Sequence, residues 1–240
     1  MQQQIERAEF VDLGGGRRGY LAIPAGAGPF PGVLVYQEAY GVNEYVQSEV
    51  RRLAEQGYAA IAPDLFGGTT FSYDDFAAVK PVLESLRDDA MLADVRAATA
   101  FLDAHPKVRH ERYGTVGFCM GGRLAVLTAI ALGPKIAAAA SFYGGNVAPD
   151  EQRFFVPLLD RLDETQGELL LICGADDESI APREQARIVE RLSAAKKKYT
   201  LSVYPGAGHA FASRDRPSYR PAQAEAAWTE TLALFARTLT

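Results

Sequence analysis

The sequence predicts a three-layer α/β fold, with a mostly parallel sheet, an N-terminal antiparallel hairpin and helices on both faces. Three observations lead to this prediction. Short apolar runs alternate with longer segments of helical periodicity along the 240 residues. Most of these runs are apolar throughout, as expected of parallel strands that are buried on both faces. No linker rich in Pro, Gly or Ser divides the chain, so residues 1–240 are predicted to form a single domain.

The first two predicted strands differ from the others. Ile5–Val11 and Arg18–Ile23 mix polar and apolar residues, and the turn-forming glycines 14–16 separate them. This pattern is typical of an antiparallel hairpin at a sheet edge. Six compact apolar runs follow and are predicted to form the parallel body of the sheet: Gly32–Tyr36, Tyr58–Ala62, Gly114–Phe118, Ala137–Phe142, Leu169–Cys173 and Leu201–Tyr204.

Segments of helical period lie between these strands and supply the crossovers, which right-handed connections place on both faces of the sheet. The predicted helices are Glu44–Gln56, Asp75–Leu86, Met91–Ala104, Gly122–Leu132, Pro182–Ser193 and Ala222–Arg237. The least regular segment, Gly67–Tyr73, is expected to be a loop over a site. Ligands in such sheets bind beyond the carboxyl ends of the strands, so the residues that follow strands are the candidate site residues.

Composition and charge exclude several functional classes. The chain has 25 Lys and Arg against 30 Asp and Glu and no basic stripe, which argues against a nucleic-acid partner. No apolar run approaches the roughly 20 residues that cross a bilayer, and the N-terminal residues lack the pattern of a secretion signal. Two cysteines cannot form a disulfide framework. We therefore expect a cytoplasmic protein, a monomer or small homo-oligomer, that acts on a small molecule and has no membrane partner.

The segment GFCMGG at Gly117–Gly122 joins a predicted strand to a predicted helix. A strained strand-to-helix turn lifts its central side chain above the sheet, and flanking glycines let neighbouring backbone approach closely. The helix N-terminus also favours the thiolate, which is the reactive form of cysteine. The pattern therefore indicates a nucleophile elbow centred on Cys119. The alternative is an ordinary buried thiol beside glycines that only permit close packing.

Among the three histidines, His209 is the candidate base. It follows the last predicted strand within the glycine-lined loop PGAGHAF, whereas His105 ends a predicted helix and His110 lies in a polar turn, so both are expected to be exposed. An acid that orients the imidazole is expected between Cys119 and His209 in chain order. Three acids compete in the intervening loop GADDESIAP, where Asp177 is the first choice and Asp176 the second. One of these acids could instead cap the following helix.

An oxyanion hole needs two backbone N–H groups. Met120 supplies one amide beside the nucleophile, and Ala39, in the segment after the strand Gly32–Tyr36, is well placed to supply the second. Glu38 precedes Ala39, and an acidic side chain just beyond a buried strand is costly unless it is paired. A role for Glu38 beside the thiol is therefore expected, with a solvent-facing or helix-capping carboxylate as the alternative.

Six motifs together resemble the dienelactone hydrolase family, a branch of the α/β-hydrolases with a cysteine nucleophile. The resemblance covers nearly the whole chain and implies the α/β-hydrolase fold. It places the family's nucleophile, histidine and acid on Cys119, His209 and Asp177. The matching segments are QEAYGVN at Gln37–Asn43, APDLFGG at Ala62–Gly68, GFCMGG at Gly117–Gly122, FYGG at Phe142–Gly145, GADDESIAP at Gly174–Pro182 and GAGHAFA at Gly206–Ala212.

The resemblance also assigns roles outside the triad. Glu38 matches a glutamate that is proposed to keep the resting thiol protonated until substrate binds, which protects it from oxidation. Family members that act on dienelactone bind its carboxylate with two arginines, for which Arg87 and Arg214 are the candidates here. Tyr143, at the end of a predicted strand, is a further candidate for substrate contact, with simple space-filling as its alternative.

The residues and the resemblance together predict a carboxylic-ester hydrolase. It would cleave a small ester or lactone, such as a carboxymethylenebutenolide-like compound, through an acyl-thioenzyme intermediate, without a cofactor. The cysteines and histidines show no metal-ligand spacing, so no metal is expected. Two alternatives stay open, namely a non-catalytic scaffold that binds a small ligand and a thiol peptidase or acyltransferase.

Overall fold

The computed structural model describes residues 3–152 and 154–239. Its strands are β1 (Ile5–Gly14), β2 (Arg17–Pro24), β3 (Phe30–Tyr36), β4 (Ala59–Pro63), β5 (Val108–Phe118), β6 (Ile136–Phe142), β7 (Glu168–Gly174) and β8 (Tyr199–Tyr204). They form one sheet in the order β1-β2-β4-β3-β5-β6-β7-β8. Strand β2 runs antiparallel to both of its neighbours, and the other adjacent pairs are parallel. The predicted hairpin and parallel body are confirmed.

Helices cover both faces of the sheet, as predicted. They are α1 (Glu44–Glu55), α2 (Phe76–Ser85), α3 (Asp88–Ala104), α4 (Met120–Leu132), α5 (Pro182–Ala194) and α6 (Pro221–Thr238). Side chains of α1 and α6 share one buried cluster with Val33 and Val35, and those of α2 to α5 share another with Leu34 and Tyr36. Because successive residues of a strand point to opposite faces, β3 contributes to both clusters. No helix in the described part of the chain is long and apolar enough to cross a membrane.

The main difference from the predicted elements lies at the start of β5. The strand begins at Val108, six residues before the predicted start at Gly114, because Val108 and Arg109 pair with Phe30 and Pro31 of β3. Four of the six added residues, 109–112, are polar and half-buried or exposed, so the apolar pattern could not indicate them. His110 therefore lies in a strand and not in a turn.

Close backbone approach seats the start of α4 against the sheet. A Cβ atom on Gly117 would lie 1.9 Å from the carbonyl oxygen of Gly121, and one on Gly121 would lie 2.4 Å from the carbonyl oxygen of Tyr36. Real Cβ atoms do not approach backbone this closely, so glycine is required at both positions. The turn between β5 and α4 is thereby fixed with respect to β3.

We predict that Gly121→Ala lowers the free energy of unfolding by about 3 kcal/mol, at the upper end of typical overpacking costs, because backbone must move to admit the methyl group. Urea denaturation followed by circular dichroism measures the change. Gly208→Ala is the matched control, since its Cβ would meet nothing closer than the Asp176 carbonyl oxygen at 3.6 Å. Equal losses in the two variants would contradict the packing argument.

Candidate active site

Cys119 occupies the turn between β5 and α4 in a strained conformation. Its φ of 55° and ψ of −116° lie outside the regions that L-residues ordinarily adopt. Strain of this kind persists only where the surrounding structure imposes it, and it clusters at functional sites. The Cys119 amide donates a 3.0 Å hydrogen bond to the Phe142 carbonyl oxygen of β6. The thiol is partly exposed and lines a cavity of about 530 Å³ together with His209.

Asp177 and His209 are in direct contact. His209 Nδ1 lies 2.9 Å from Asp177 Oδ2, and the Asp177 side chain is fully buried. Asp177 Oδ1 accepts a 2.8 Å hydrogen bond from the amide of Ser179, which leaves Oδ2 directed at the imidazole. Asp176 is exposed, and His209 contacts Asp177 instead. The structure thus brings the first-choice acid to the predicted base.

The loops after β7 and β8 hold this pair by backbone contacts. The Ala175 amide donates to the Tyr204 carbonyl oxygen at 2.9 Å, and the Asp176 amide donates to the Ala207 carbonyl oxygen at the same distance. Gly174 permits the approach, since a Cβ atom there would lie 2.2 Å from the Ala207 carbonyl oxygen. Two segments that are distant in sequence therefore present their acid and imidazole side by side.

The electrostatic setting of His209 favours the imidazolium. Burial lowers its pKa, but the charge of Cys119 and hydrogen bonds with Asp177 and Cys119 outweigh this effect and raise the pKa to about 10. An imidazolium beside a sulfur is the partner that stabilises a thiolate. In contrast, burial raises the pKa of Cys173 to about 12, which leaves that thiol protonated and inert near neutral pH.

The two predicted oxyanion donors also reach the cavity. Met120 is the first residue of α4, and Ala39 follows β3 in a segment that lies against α4. Both residues line the cavity with Cys119. Amides at the first turn of a helix and in an adjacent loop are the usual donors to a developing oxyanion in this kind of turn.

Glu38 is buried within a polar cluster next to the cavity. Its Oε2 accepts a 3.2 Å hydrogen bond from the Tyr73 hydroxyl, and its Oε1 lies 3.8 Å from Nη1 of Arg216. Burial raises the pKa of Glu38, whereas the charges of Arg216 and His209 act in the opposite direction. The Tyr73 hydroxyl is itself bonded by Asn43 and Ser213. The contact between Glu38 and the resting thiol stays a prediction.

The structure places the two candidate arginines outside the cavity. Arg87 is exposed. Its guanidinium donates to the carbonyl oxygens of Glu84 and Leu86 and so caps the end of α2. Arg214 pairs with the buried Glu49 at 3.1 Å and faces a separate surface cleft.

Arg216 lines the cavity, a position that the sequence analysis missed. The sequence feature that could have identified Arg216 is its position in the same loop, two residues after Arg214.

Tyr143 packs against the imidazole of His209 and does not contact solvent. Its side chain is fully buried, and its ring packs edge-on against His209 with a centroid distance of 5.2 Å. Its φ of 40° is unusual for a bulky residue, and its amide donates to the Ile172 carbonyl oxygen at 2.7 Å. These contacts fit the space-filling alternative and make Tyr143 a support for His209.

The described side chains show no arrangement that suits a metal ion. Within residues 3–152 and 154–239, no group of three or more His, Cys, Asp and Glu side chains is arranged to hold a metal ion. His209 contacts Asp177 through Nδ1 and lines the cavity together with Cys119. The arrangement suits acyl transfer to sulfur.

Comparison with known proteins gives a consistent result. The sequence profile of the dienelactone hydrolase family matches residues 17–239. A relative from Methylorubrum extorquens, provisionally named a carboxymethylenebutenolidase, is 36% identical over 212 residues, which cover 87% of this chain and 72% of the relative. A relative from Bradyrhizobium, provisionally named a 2-oxo-3-(5-oxofuran-2-ylidene)propanoate lactonase, is 33% identical, with 93% of this chain and 92% of the relative covered.

A solved structure agrees with the sequence relatives. A protein from Klebsiella pneumoniae, provisionally named a dienelactone hydrolase, superimposes with a TM-score of 0.90 at 32% identity. The match covers 98% of this chain and 99% of the Klebsiella protein. The two folds therefore correspond over nearly their whole length.

We predict that His209 titrates near pH 10 and that Cys119→Ala lowers this pKa more than Asp177→Asn does, because the interaction with Cys119 is the largest of the effects that raise it. Imidazole chemical shifts measured by NMR across pH follow the change. The other two histidines, His105 and His110, serve as internal references in the same spectra. An imidazole of His209 that titrates near 6.5 in the unmodified protein would contradict the thiolate–imidazolium pair.

Proposed function

Because the chain belongs to the dienelactone hydrolase family, we propose that it is a hydrolase that cleaves a small ester or lactone at Cys119. The observation that carries this proposal is the bond between the buried Asp177 and His209, which lines one cavity together with a strained cysteine. A pocket that only binds ligand has no need for an oriented base, an acid and a nucleophile together. The hydrolase class is common to the relatives named above.

In the acylation step the Cys119 thiolate attacks the carbonyl carbon and forms a carbon–sulfur bond. The negative charge moves to the carbonyl oxygen, where the Met120 and Ala39 amides donate hydrogen bonds. Collapse of this intermediate breaks the carbon–oxygen bond to the leaving group. His209 delivers its proton to the departing alkoxide, and an acyl-thioester remains on Cys119.

In the deacylation step a water molecule replaces the leaving group. The neutral imidazole of His209 takes a proton from the water, and the resulting hydroxide attacks the thioester carbonyl. Asp177 fixes the tautomer, because it engages Nδ1 and leaves Nε2 for the reacting groups. The second tetrahedral intermediate releases the carboxylic acid and restores the thiolate–imidazolium pair. Cleavage of a lactone gives a single ring-opened acid.

Glu38 adjusts the charge around the thiol without joining the triad. Its carboxylate is held by Tyr73 and faces Arg216, so its negative charge is partly balanced by the guanidinium at the cavity. A buried carboxylate nearby disfavours a second negative charge on Cys119. Movement of Glu38 toward Arg216 or loss of its charge would therefore favour the reactive thiolate.

We predict that Cys119→Ala lowers kcat/KM for p-nitrophenyl acetate by roughly 10³-fold or more, because removal of the nucleophile removes the covalent route. Release of p-nitrophenolate measures the rate. Cys173→Ala is the control, since that thiol lies buried in β7 and is expected to leave the rate within about twofold. Equal rates for Cys119→Ala and the unmodified protein would reject the covalent mechanism, and an unreactive Cys119 would favour the binding-only scaffold.

We also predict that Glu38→Gln shifts the pH profile of Cys119 alkylation by iodoacetamide to lower pH, because the loss of a negative charge favours the thiolate. Tyr73→Phe should also shift the profile to lower pH, since it removes the hydrogen bond that holds Glu38 Oε2. Mass spectrometry of the labelled protein gives the rates. Glu44→Gln, an exposed acid on α1, is the control. An unchanged profile in Glu38→Gln would remove Glu38 from the mechanism.

A further inference from the structure

The cavity that Cys119 and His209 line has an apolar wall whose residues lie outside the catalytic triad. Four side chains form it: Phe76, Leu83, Phe154 and Phe155. We infer that this wall is a binding subsite for an aromatic or similarly bulky apolar group, carried by a neutral ester or lactone. The inference rests on the proposed hydrolase function and specifies the substrate class of that same site.

Helix α2 contributes two of these side chains on one face. Phe76 and Leu83 are seven residues apart, which is close to two helical turns, so both point the same way. The Asp75 side chain accepts a hydrogen bond from the Ala78 amide and fixes the first turn, where Phe76 lies. Phe76 is nevertheless 49% exposed. An apolar ligand group that covers this ring removes apolar surface from water, which favours binding.

The other half of the wall is held in place before any ligand binds. The buried guanidinium of Arg123 lies over the Phe155 ring, 4.9 Å from its centroid. Both terminal nitrogens of Arg123 bond the carboxylate of Asp88, at 2.7 and 2.9 Å. Arg123 also donates to the carbonyl oxygen of Val156, the residue that follows Phe155. A rigid wall loses little entropy on binding, so its apolar contacts contribute fully to affinity.

The charge of the cavity favours a neutral substrate. Arg216 is the only Lys or Arg among the described residues that line it. That guanidinium already faces the Glu38 carboxylate and lies over the rings of Tyr40 and Tyr73, 5.5 and 5.2 Å from their centroids. A substrate carboxylate would have to compete with Glu38 for this guanidinium. An aromatic group in its place meets the apolar wall without such competition.

Two enol lactones that differ in one substituent test the inference. 4-Benzylidene-but-2-en-4-olide and 4-carboxymethylene-but-2-en-4-olide share the reacting ring, and the first carries a phenyl group where the second carries a carboxylate. We expect kcat/KM to be at least about tenfold higher for the benzylidene lactone. Phe76→Ala should lower kcat/KM about tenfold for the benzylidene lactone and less than about twofold for the carboxymethylene lactone. Phe10→Ala, at an exposed ring on β1, is the matched control.

Binding to Cys119→Ala protein separates this inference from the proposed chemistry, because no turnover occurs there. Isothermal titration calorimetry with the benzylidene lactone should give a Kd about tenfold weaker in Cys119→Ala/Phe76→Ala and an unchanged Kd in Cys119→Ala/Phe10→Ala. Equal Kd values in both double variants, or tighter binding of the carboxymethylene lactone to Cys119→Ala, would overturn the apolar subsite. Full hydrolysis by Cys119→Ala would instead reject the covalent mechanism and leave the binding result to decide the subsite.

Discussion

The close approach of α4 to the sheet is the constraint on which the site depends. Gly117 and Gly121 let the first turn of α4 pack onto the backbone of β3 with no side chain between them. The chain must therefore reverse within one residue, and Cys119 takes the strained conformation that results. This strain costs stability, which the buried clusters on both faces of the sheet offset. The same strained conformation directs the thiol into the cavity at the N-terminus of α4.

The other candidate residues lie at the same edge of the sheet as Cys119, because the parallel strands end there. Asp177 follows β7, His209 follows β8, and Glu38 follows β3. All three are ionisable side chains that are largely buried, and a buried charge without a partner is costly. Partners offset this cost: Asp177 contacts His209, and Glu38 lies next to Tyr73 and Arg216. The buried charges of the candidate site therefore lie beside groups that offset them.

The fold and the contact between Asp177 and His209 could be predicted from the sequence, because strict physical requirements leave visible patterns. Buried parallel strands must be apolar throughout, and the elbow around Cys119 must have glycines on both sides. The lining of the cavity was harder to predict, since loop side chains are directed by contacts between distant segments. Arg216 faces Glu38 while Arg214 turns to Glu49, although only one residue separates the two arginines. Nothing in the local pattern distinguishes them.

An acyl group trapped on Cys119 would demonstrate that this thiol is the nucleophile. The protein is mixed with p-nitrophenyl trimethylacetate, an ester whose bulky acyl group deacylates slowly, and is then quenched in acid and digested with trypsin. We expect one acyl group on the peptide Tyr113–Arg123, which contains Cys119 and no other cysteine. Release of p-nitrophenolate with this peptide unmodified throughout, or with the acyl group on another residue, would contradict it.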